Sequence, residues 1–302
     1  MQTINRRHLV QRTAYLATAM AGAPRSLQPA SGTHASSFIT TQDGTRLFVQ
    51  DWGRGRPVVF LSAWTFHSNV WGGHIAALSA QGFRCIALDR RGHGRSDAPN
   101  CGYGLDGLAN DVATVIEQLD LKDIILVAHS MGSVEAVRYC SGRGSNRVAR
   151  LVLAAPVTPF IMKTSDNPEG VPRHLIEAQD EAIARDFPRW VTENEAPFFT
   201  PDTPQEMRTW IKNMMLNISL PVALACRKTI SASDLREDVR KIACPTLIVH
   251  GDKDSSAPLP LTGARTARMI ANCKLIVYPG APHGLVLTHQ QRFLADMLAF
   301  IA

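Results

Sequence analysis

From residue 38 onward, short and nearly unbroken apolar runs alternate with longer stretches in which apolar residues recur at helical spacing. The runs fall at 38–41, 46–52, 58–61, 85–88, 124–128, 151–154, 246–249 and 274–278. Side chains of a strand point alternately to its two faces, so a run that is apolar at consecutive positions suits a strand covered on both sides, as in a parallel sheet. Asp43-Gly44 between the first two runs is a hairpin turn signal and predicts that this pair is antiparallel. Helices are predicted at 70–81, 106–119, 131–141, 259–271 and 288–301. Strand and helix in alternation give an α/β class with a doubly wound sheet, built from 36–156 and 241–302. The interval 157–240 breaks the rhythm: it lacks convincing strands, holds eight of the chain's 18 prolines and offers helical pieces such as 175–184 and 205–217. It is expected to form a helical cap over the strand ends.

Composition narrows the function classes. At 302 residues, 45% hydrophobic and 19% charged, the chain has the make-up of an ordinary globular protein and enough length to bury a large core. The net charge of +6 would suggest an acidic partner, but Arg6, Arg7, Arg12 and Arg25 account for most of it and lie in the first 30 residues, which carry no acid. A nucleic-acid binder needs a basic patch or interleaved aromatics in its folded part, and neither is found. Arg6-Arg7-His8-Leu9-Val10, followed by the Ala-rich, weakly apolar stretch 14–23, resembles a bacterial twin-arginine export signal with Ala19-Met20-Ala21 as its small-residue cleavage site. On that reading 1–35 is a signal and flexible segment and the protein is periplasmic or secreted. A cytoplasmic protein with an N-terminal extension is the competing reading. No 18 consecutive apolar residues occur, so no membrane span is expected. Six cysteines without a Cys-x-x-Cys pair do not form a disulfide framework, and Cys85 and Cys244 are expected to be small buried hydrophobes.

In open α/β sheets reactive groups collect beyond the carboxyl ends of the strands. Run 124–128 continues into Ala128-His129-Ser130-Met131-Gly132 and then a helix. This has the form of the nucleophile elbow G-x-S-x-G, a tight strand-to-helix turn that lifts the serine oxygen clear and aims the next backbone N–H at a developing oxyanion. Ala128 stands in for the first Gly and adds one methyl. Alone, the segment reads equally well as a helix N-cap, for which Ser is favoured. A hydroxyl is a weak nucleophile that needs a base, and the base needs an orienting acid. Both follow at later strand ends: His250-Gly251-Asp252-Lys253-Asp254 after 246–249, and Pro279-Gly280-Ala281-Pro282-His283-Gly284 after 274–278. Ser130, an Asp and His283 stand in the chain order of an α/β-hydrolase triad. Each taken singly is an ordinary turn residue, and Asp252 and Asp254 are both candidates for the acid.

Together with Asp89-Arg90-Arg91-Gly92-His93-Gly94-Arg95-Ser96, with Ala281-Pro282-His283-Gly284 followed by Thr288-His289, and with Asn167-Pro168-Glu169-Gly170-Val171-Pro172, these residues resemble the cofactor-free haloperoxidase and arylesterase branch of the α/β-hydrolases. The likeness runs over most of the chain from about residue 38. It implies an α/β-hydrolase fold, with a mostly parallel eight-stranded sheet flanked by helices and a helical cap. It favours Asp254, because Gly-Asp-x-Asp in such enzymes generally uses the second carboxylate, and leaves Asp252 to support the turn. The resemblance also places a second oxyanion donor in the loop after 58–61, where relatives carry His-Gly and an aromatic residue. This chain has Ser62-Ala63-Trp64, so the donors become the N–H groups of Trp64 and Met131. Thr65 stands where Pro is common in relatives with strong perhydrolase activity. The arginine-rich loop 89–96 is expected to be a well-packed connection without a catalytic duty.

The activity this implies is hydrolysis of carboxylic esters, and of lactones, through an acyl-enzyme, with peroxide able to replace water as the resemblance suggests. No metal or organic cofactor is expected; the ten histidines lack ligand spacing. Trp64, Phe160, Phe198, Phe199 and Leu285 are candidates to line an apolar pocket for a small-molecule ester, with a plain core position as the alternative for each. Ser130 in place of Asp at the elbow argues against a haloalkane dehalogenase or an epoxide hydrolase. A carbon–carbon bond hydrolase using the same triad and a non-catalytic ligand-binding protein on this fold both stay open, as does self-association into a homo-oligomer.

Overall fold

All eight apolar runs become strands of one sheet. A computed structural model describes residues 37–144 and 146–301; the arginine-bearing segment 1–35 lies outside the described residues. The first half runs β1 (Phe38–Thr40), β2 (Arg46–Gly53), β3 (Pro57–Leu61), α1 (Gly72–Ser79), β4 (Arg84–Leu88), α2 (Leu105–Gln118), β5 (Ile124–His129), α3 (Gly132–Ser141) and β6 (Val148–Ala154). Five helices follow without a strand between them: α4 (Arg173–Arg185), α5 (Phe187–Glu193), α6 (Gln205–Leu216), α7 (Leu220–Ala232) and α8 (Arg236–Arg240). The last part is β7 (Thr246–Gly251), α9 (Gly263–Met269), β8 (Cys273–Tyr278), α10 (Leu285–Thr288) and α11 (Gln290–Ile301).

The strand order is β1-β2-β4-β3-β5-β6-β7-β8. β1 pairs with β2, and β2 with β4, in antiparallel fashion; the remaining pairs are parallel. Gly44, at φ +86°, makes the turn that the Asp43-Gly44 signal predicts. Apolar residues at consecutive strand positions divide between two cores, as the period of two requires. Val59, Leu61, Ile86, Leu88, Leu126 and Ala128 face one core with α2, α3 and Val239 of α8. Val58, Phe60, Cys85, Ala87, Ile125 and Val127 face the other with α1 and α11. Each fully buried Leu, Ile, Val or Phe contributes roughly 1.5–3 kcal/mol from removal of apolar surface from water.

The inserted helices build a third cluster of their own. Ile183, Phe187, Val191, Val222, Ala223 and Cys226 pack together, and Met131 and Leu108 of the main body join them. This anchors α4, α5 and α7 directly above the end of β5. Helix α7 begins Leu220-Pro221, and Pro sits comfortably in a first turn, where its missing N–H has no intrahelical partner to lose. The predicted helix at 259–271 shortens to Gly263–Met269, because the backbone leaves the helical region at Thr262 (φ −120°, ψ −91°) and at Ile270 (φ −93°, ψ 122°). Cys85 is buried as expected, whereas Cys244 is half-buried. Among the described residues no helix is long and apolar enough to cross a membrane.

Candidate active site

Strand β5 is buried along its whole length and delivers Ser130 at its carboxyl end. Ser130 has φ +52°, a left-handed conformation that costs a non-glycine residue about 1–3 kcal/mol and persists only when its surroundings enforce it. Here they do: its N–H donates to the Ala154 carbonyl at 3.0 Å, and its own carbonyl accepts from the Ser133 N–H at 2.9 Å and the Ser133 hydroxyl at 2.5 Å. The second small residue of the elbow is a steric necessity, since a Cβ on Gly132 would lie 2.6 Å from the Leu61 carbonyl oxygen. Ala128 at the first small position is fully buried in the sheet.

The loop after β8 brings His283 to Ser130. His283 Nε2 lies 2.8 Å from Ser130 Oγ and its Nδ1 lies 2.7 Å from Asp254 Oδ2. The structure thus brings Ser130, His283 and Asp254 into one hydrogen-bonded series, each with about 5% of its surface exposed. Asp252 is elsewhere: it is exposed, and its Oδ1 accepts the Gly280 N–H at 2.7 Å, bracing the turn that leads to His283.

Asp254 is surrounded by donors. Its Oδ1 accepts the N–H groups of Ser256 and Ala257 at 2.9 and 2.7 Å. Its Oδ2, besides meeting His283, lies 3.1 Å from Nε2 of His250, which also reaches the Ala257 carbonyl at 2.8 Å. Since both neighbours of that nitrogen are acceptors, Nε2 carries the proton. Burial alone would push the Asp254 carboxyl up, but the charge of His283 and the hydrogen bonds from His250 and His283 outweigh it and hold the group well below the usual carboxylate range.

His129, the variable residue of the elbow, fixes the backbone of His283. Its Nε2–H donates to the His283 carbonyl at 3.0 Å. Burial, and then the neighbouring His283, push the His129 pKa down to about 3, so it acts as a neutral donor near pH 7. From the insertion, the Pro197 carbonyl accepts the His283 N–H at 3.3 Å, and the Phe198 ring lies 5.8 Å from the His283 ring. The short segment between α5 and α6 therefore closes over His283.

The two N–H groups expected to face an oxyanion are both free: among the described residues neither that of Trp64 nor that of Met131 donates to an acceptor. Met131 is fully buried behind the elbow. The Trp64 indole is committed to the inserted helices, donating to the Ala223 carbonyl at 2.9 Å and packing edge-on against Trp190. Thr65 has φ +65°. A proline ring fixes φ near −65°, so this loop follows a path that a Pro-bearing loop cannot take.

The apolar candidates separate. Phe198 meets His283, Phe66 and Phe199, and Leu285 is fully buried in the core just beyond His283. Phe199 meets Phe198 edge to face, with Arg208 over its own ring. Phe160 lies under Arg236 and offers its carbonyl to Asn167, so its contacts are away from the triad. Among the described residues no three His, Cys, Asp or Glu side chains are grouped to hold a metal ion.

Sequence reasoning passed over three groups: His129, His250 and the Arg90–Glu135 pair. His250 directly follows the apolar run 246–249, four residues before Asp254, and Glu135 lies five after Ser130 among the small or apolar residues 132–137. A charged residue at a position whose neighbours are all core is the signal that could have exposed Glu135.

A family described as the alpha/beta hydrolase fold matches residues 56–290. The chain is 35% identical to a non-heme chloroperoxidase of Kitasatospora aureofaciens over 273 residues, covering 87% of this chain and 98% of that protein. It is 33% identical to a bifunctional esterase/perhydrolase of Acinetobacter calcoaceticus, covering 87% and 99%. An esterase from Exiguobacterium antarcticum superposes with a TM-score of 0.84 at 31% identity, covering 87% and 98%. With a sheet of this order, an elbow at the end of its fifth strand and relatives of this kind matched along nearly their whole length, the chain belongs to the α/β-hydrolase family, alongside non-heme haloperoxidases and esterases.

Proposed function

We propose that this protein hydrolyses carboxylic esters through an acyl-enzyme on Ser130. The observation that carries the proposal is the unbroken series from Ser130 Oγ through His283 to Asp254, with links of 2.8 and 2.7 Å. In the first step His283 Nε2 takes the hydroxyl proton as Oγ attacks the ester carbonyl, and Asp254 stabilises the imidazolium that forms. The N–H groups of Met131 and Trp64 receive the oxyanion, each worth about 3 kcal/mol in comparable sites. His283 then passes its proton to the departing alkoxide, and a water activated by the same nitrogen releases the acid. The Phe198 ring beside His283 favours uncharged acyl groups over charged ones. Hydrogen peroxide in place of water would yield a peracid as a side reaction, a reading supported by the esterase/perhydrolase relative.

The test is covalent. A fluorophosphonate should label the folded protein stoichiometrically at Ser130, and the labelled protein should lose all turnover of small aryl esters. Folded protein that resists labelling while binding a ligand tightly would instead mark a receptor on this fold. We also propose export by the twin-arginine route, supported by Arg6-Arg7 and the Ala-rich stretch behind them. Replacing both arginines by lysine should retain the protein in the cytoplasm, and an unchanged periplasmic level would defeat that reading.

A further inference from the structure

The Arg90–Glu135 pair joins two parts of the molecule that the proposed mechanism needs in register. Both side chains are almost completely buried, at 5% and 3% exposure. Arg90 comes from the arginine-rich loop after β4 and Glu135 from the first turn of α3, the helix that follows Ser130. Nε of Arg90 donates to Glu135 Oε1. The other arm of the guanidinium goes to backbone: one terminal nitrogen donates to the Ser62 carbonyl at 2.7 Å and the other to the Ala63 carbonyl at 3.3 Å. These two residues immediately precede Trp64. Their loop has further ties, since the Trp71 indole N–H donates to Ser62 Oγ at 3.2 Å and the Phe66 N–H to the Ala63 carbonyl at 3.2 Å.

We propose that Arg90 is a positioning residue for the oxyanion hole, clamping the Ser62-Ala63-Trp64 loop to the nucleophile helix through Glu135. This rests on the esterase reading above. The hole has one donor on each part: Met131 N–H rides on the start of α3, and Trp64 N–H on the loop. Pairing of β3 with β5, Leu61 opposite Ala128, brings the two strand ends side by side, but it does not set the path of the three residues from Ser62 to Trp64 beyond the last pair. A planar fork with donors in fixed directions can span a carboxylate and two carbonyls at once, whereas an ammonium is a single point charge. The fork also supplies what the sequence lacks at Ser62-Ala63: with no glycine before Trp64, the loop is held by its carbonyls, and the Ser62 hydroxyl is occupied by Trp71. Burying an ion pair seldom adds stability over apolar residues of the same size, so a positional duty accounts for the pair better than a stabilising one.

The experiment uses the full-length enzyme and two variants with small aryl esters. Arg90→Lys keeps a cation opposite Glu135, and Arg90→Met/Glu135→Leu removes both charges together and leaves neither orphaned. Each should keep the native near-ultraviolet circular dichroism and lose about 10- to 100-fold in kcat, part of what one misplaced oxyanion donor costs, with KM changed by less than about threefold. Affinity for an arylboronic acid, which forms a tetrahedral adduct on Ser130, should fall by the same factor as kcat, while affinity for the product alcohol should not change. A folded double variant that turns over at the wild-type rate, or equal losses of affinity for boronate and alcohol, would overturn the assignment. Should Arg90→Met/Glu135→Leu fail to fold, Arg90→Lys decides alone: wild-type kcat and boronate affinity there overturn it equally. Wild-type protein that neither hydrolyses esters nor reacts with fluorophosphonate would instead remove the parent reading, an outcome visible before any variant is made.

Discussion

Asp254→Asn is expected to lower kcat for a small aryl ester by about 10⁴-fold, the loss seen when a triad carboxylate becomes an amide and the base is held in the wrong tautomer. Asp252→Asn should leave kcat within about threefold, as for other exposed positions. The contrast follows from what each carboxylate meets. All four partners of Asp254 are donors: the N–H groups of Ser256 and Ala257, Nε2 of His250 and Nδ1 of His283. Whichever way an asparagine amide is turned, its NH₂ faces two of them. If it faces His283, Nδ1 must become the acceptor, Nε2 takes the proton, and Ser130 loses its base. If it faces Ser256 and Ala257, the buried Ala257 N–H is left unpaired at about 1–3 kcal/mol of stability. Asp252 gives up one hydrogen bond at the surface, to Gly280. Initial rates of both variants across pH decide the matter, and inactivity of Asp252→Asn with a working Asp254→Asn would reverse the assignment.

Acidification from pH 7 to pH 5 should reduce the stability of the fold by about 5 kcal/mol, well before the carboxylates titrate. Burial is the first cause of depression for five histidines, and the three most buried carry the large shifts: His93 and His129 are pushed down to about 3 and His74 to about 4, while His67 and His289 move in the same direction. In an unfolded chain each returns to an ordinary value near 6.5. Below that value the unfolded state binds protons that the native state refuses, so stability is complete above pH 6.5 and declines as pH falls toward 4. Each of the three most buried contributes about 1.4 kcal/mol per pH unit within that window. Glu135 and Asp111, which burial pushes up against the pull of Arg90 and Arg91, act in the opposite sense and soften the slope. Urea unfolding should show the midpoint falling at constant slope. His74→Phe, which fills the same space against Trp71 and Phe293, should remove about a third of the effect. A stability loss below about 1 kcal/mol over this range would show that these rings are protonated in the native state.

The candidate site was legible where chemistry is local to one strand end. Ser130 with its small flanks, His283 behind Gly280, and the paired Asp252 and Asp254 are each a short segment whose residue types state their use. The arginine-rich loop shows where such reading stops. Asp89 to Ser96 stands out as a motif, and a packing role is the natural inference from its composition. The partners of Arg90, the carbonyls of Ser62 and Ala63 and the carboxylate of Glu135, lie 28, 27 and 45 residues away. Backbone carbonyls carry no sequence signature. The aromatic candidates divided for a related reason, since Phe198 and Phe160 look alike in sequence and differ only in which neighbour the insertion turns them toward.

Eight strands, an antiparallel hairpin at their start and the Ser-Asp-His order along the chain are properties of sequence alone, because apolar runs, turn residues and chain order are written one position at a time. The placing of β4 between β2 and β3 is not, nor is the choice of Asp254 on geometric grounds, the clamp at Arg90 or the cover that Pro197 and Phe198 put over His283. Each of these depends on which distant segments share a boundary when both faces of the sheet are buried. That is settled by packing of the whole chain at once, and no local pattern records it.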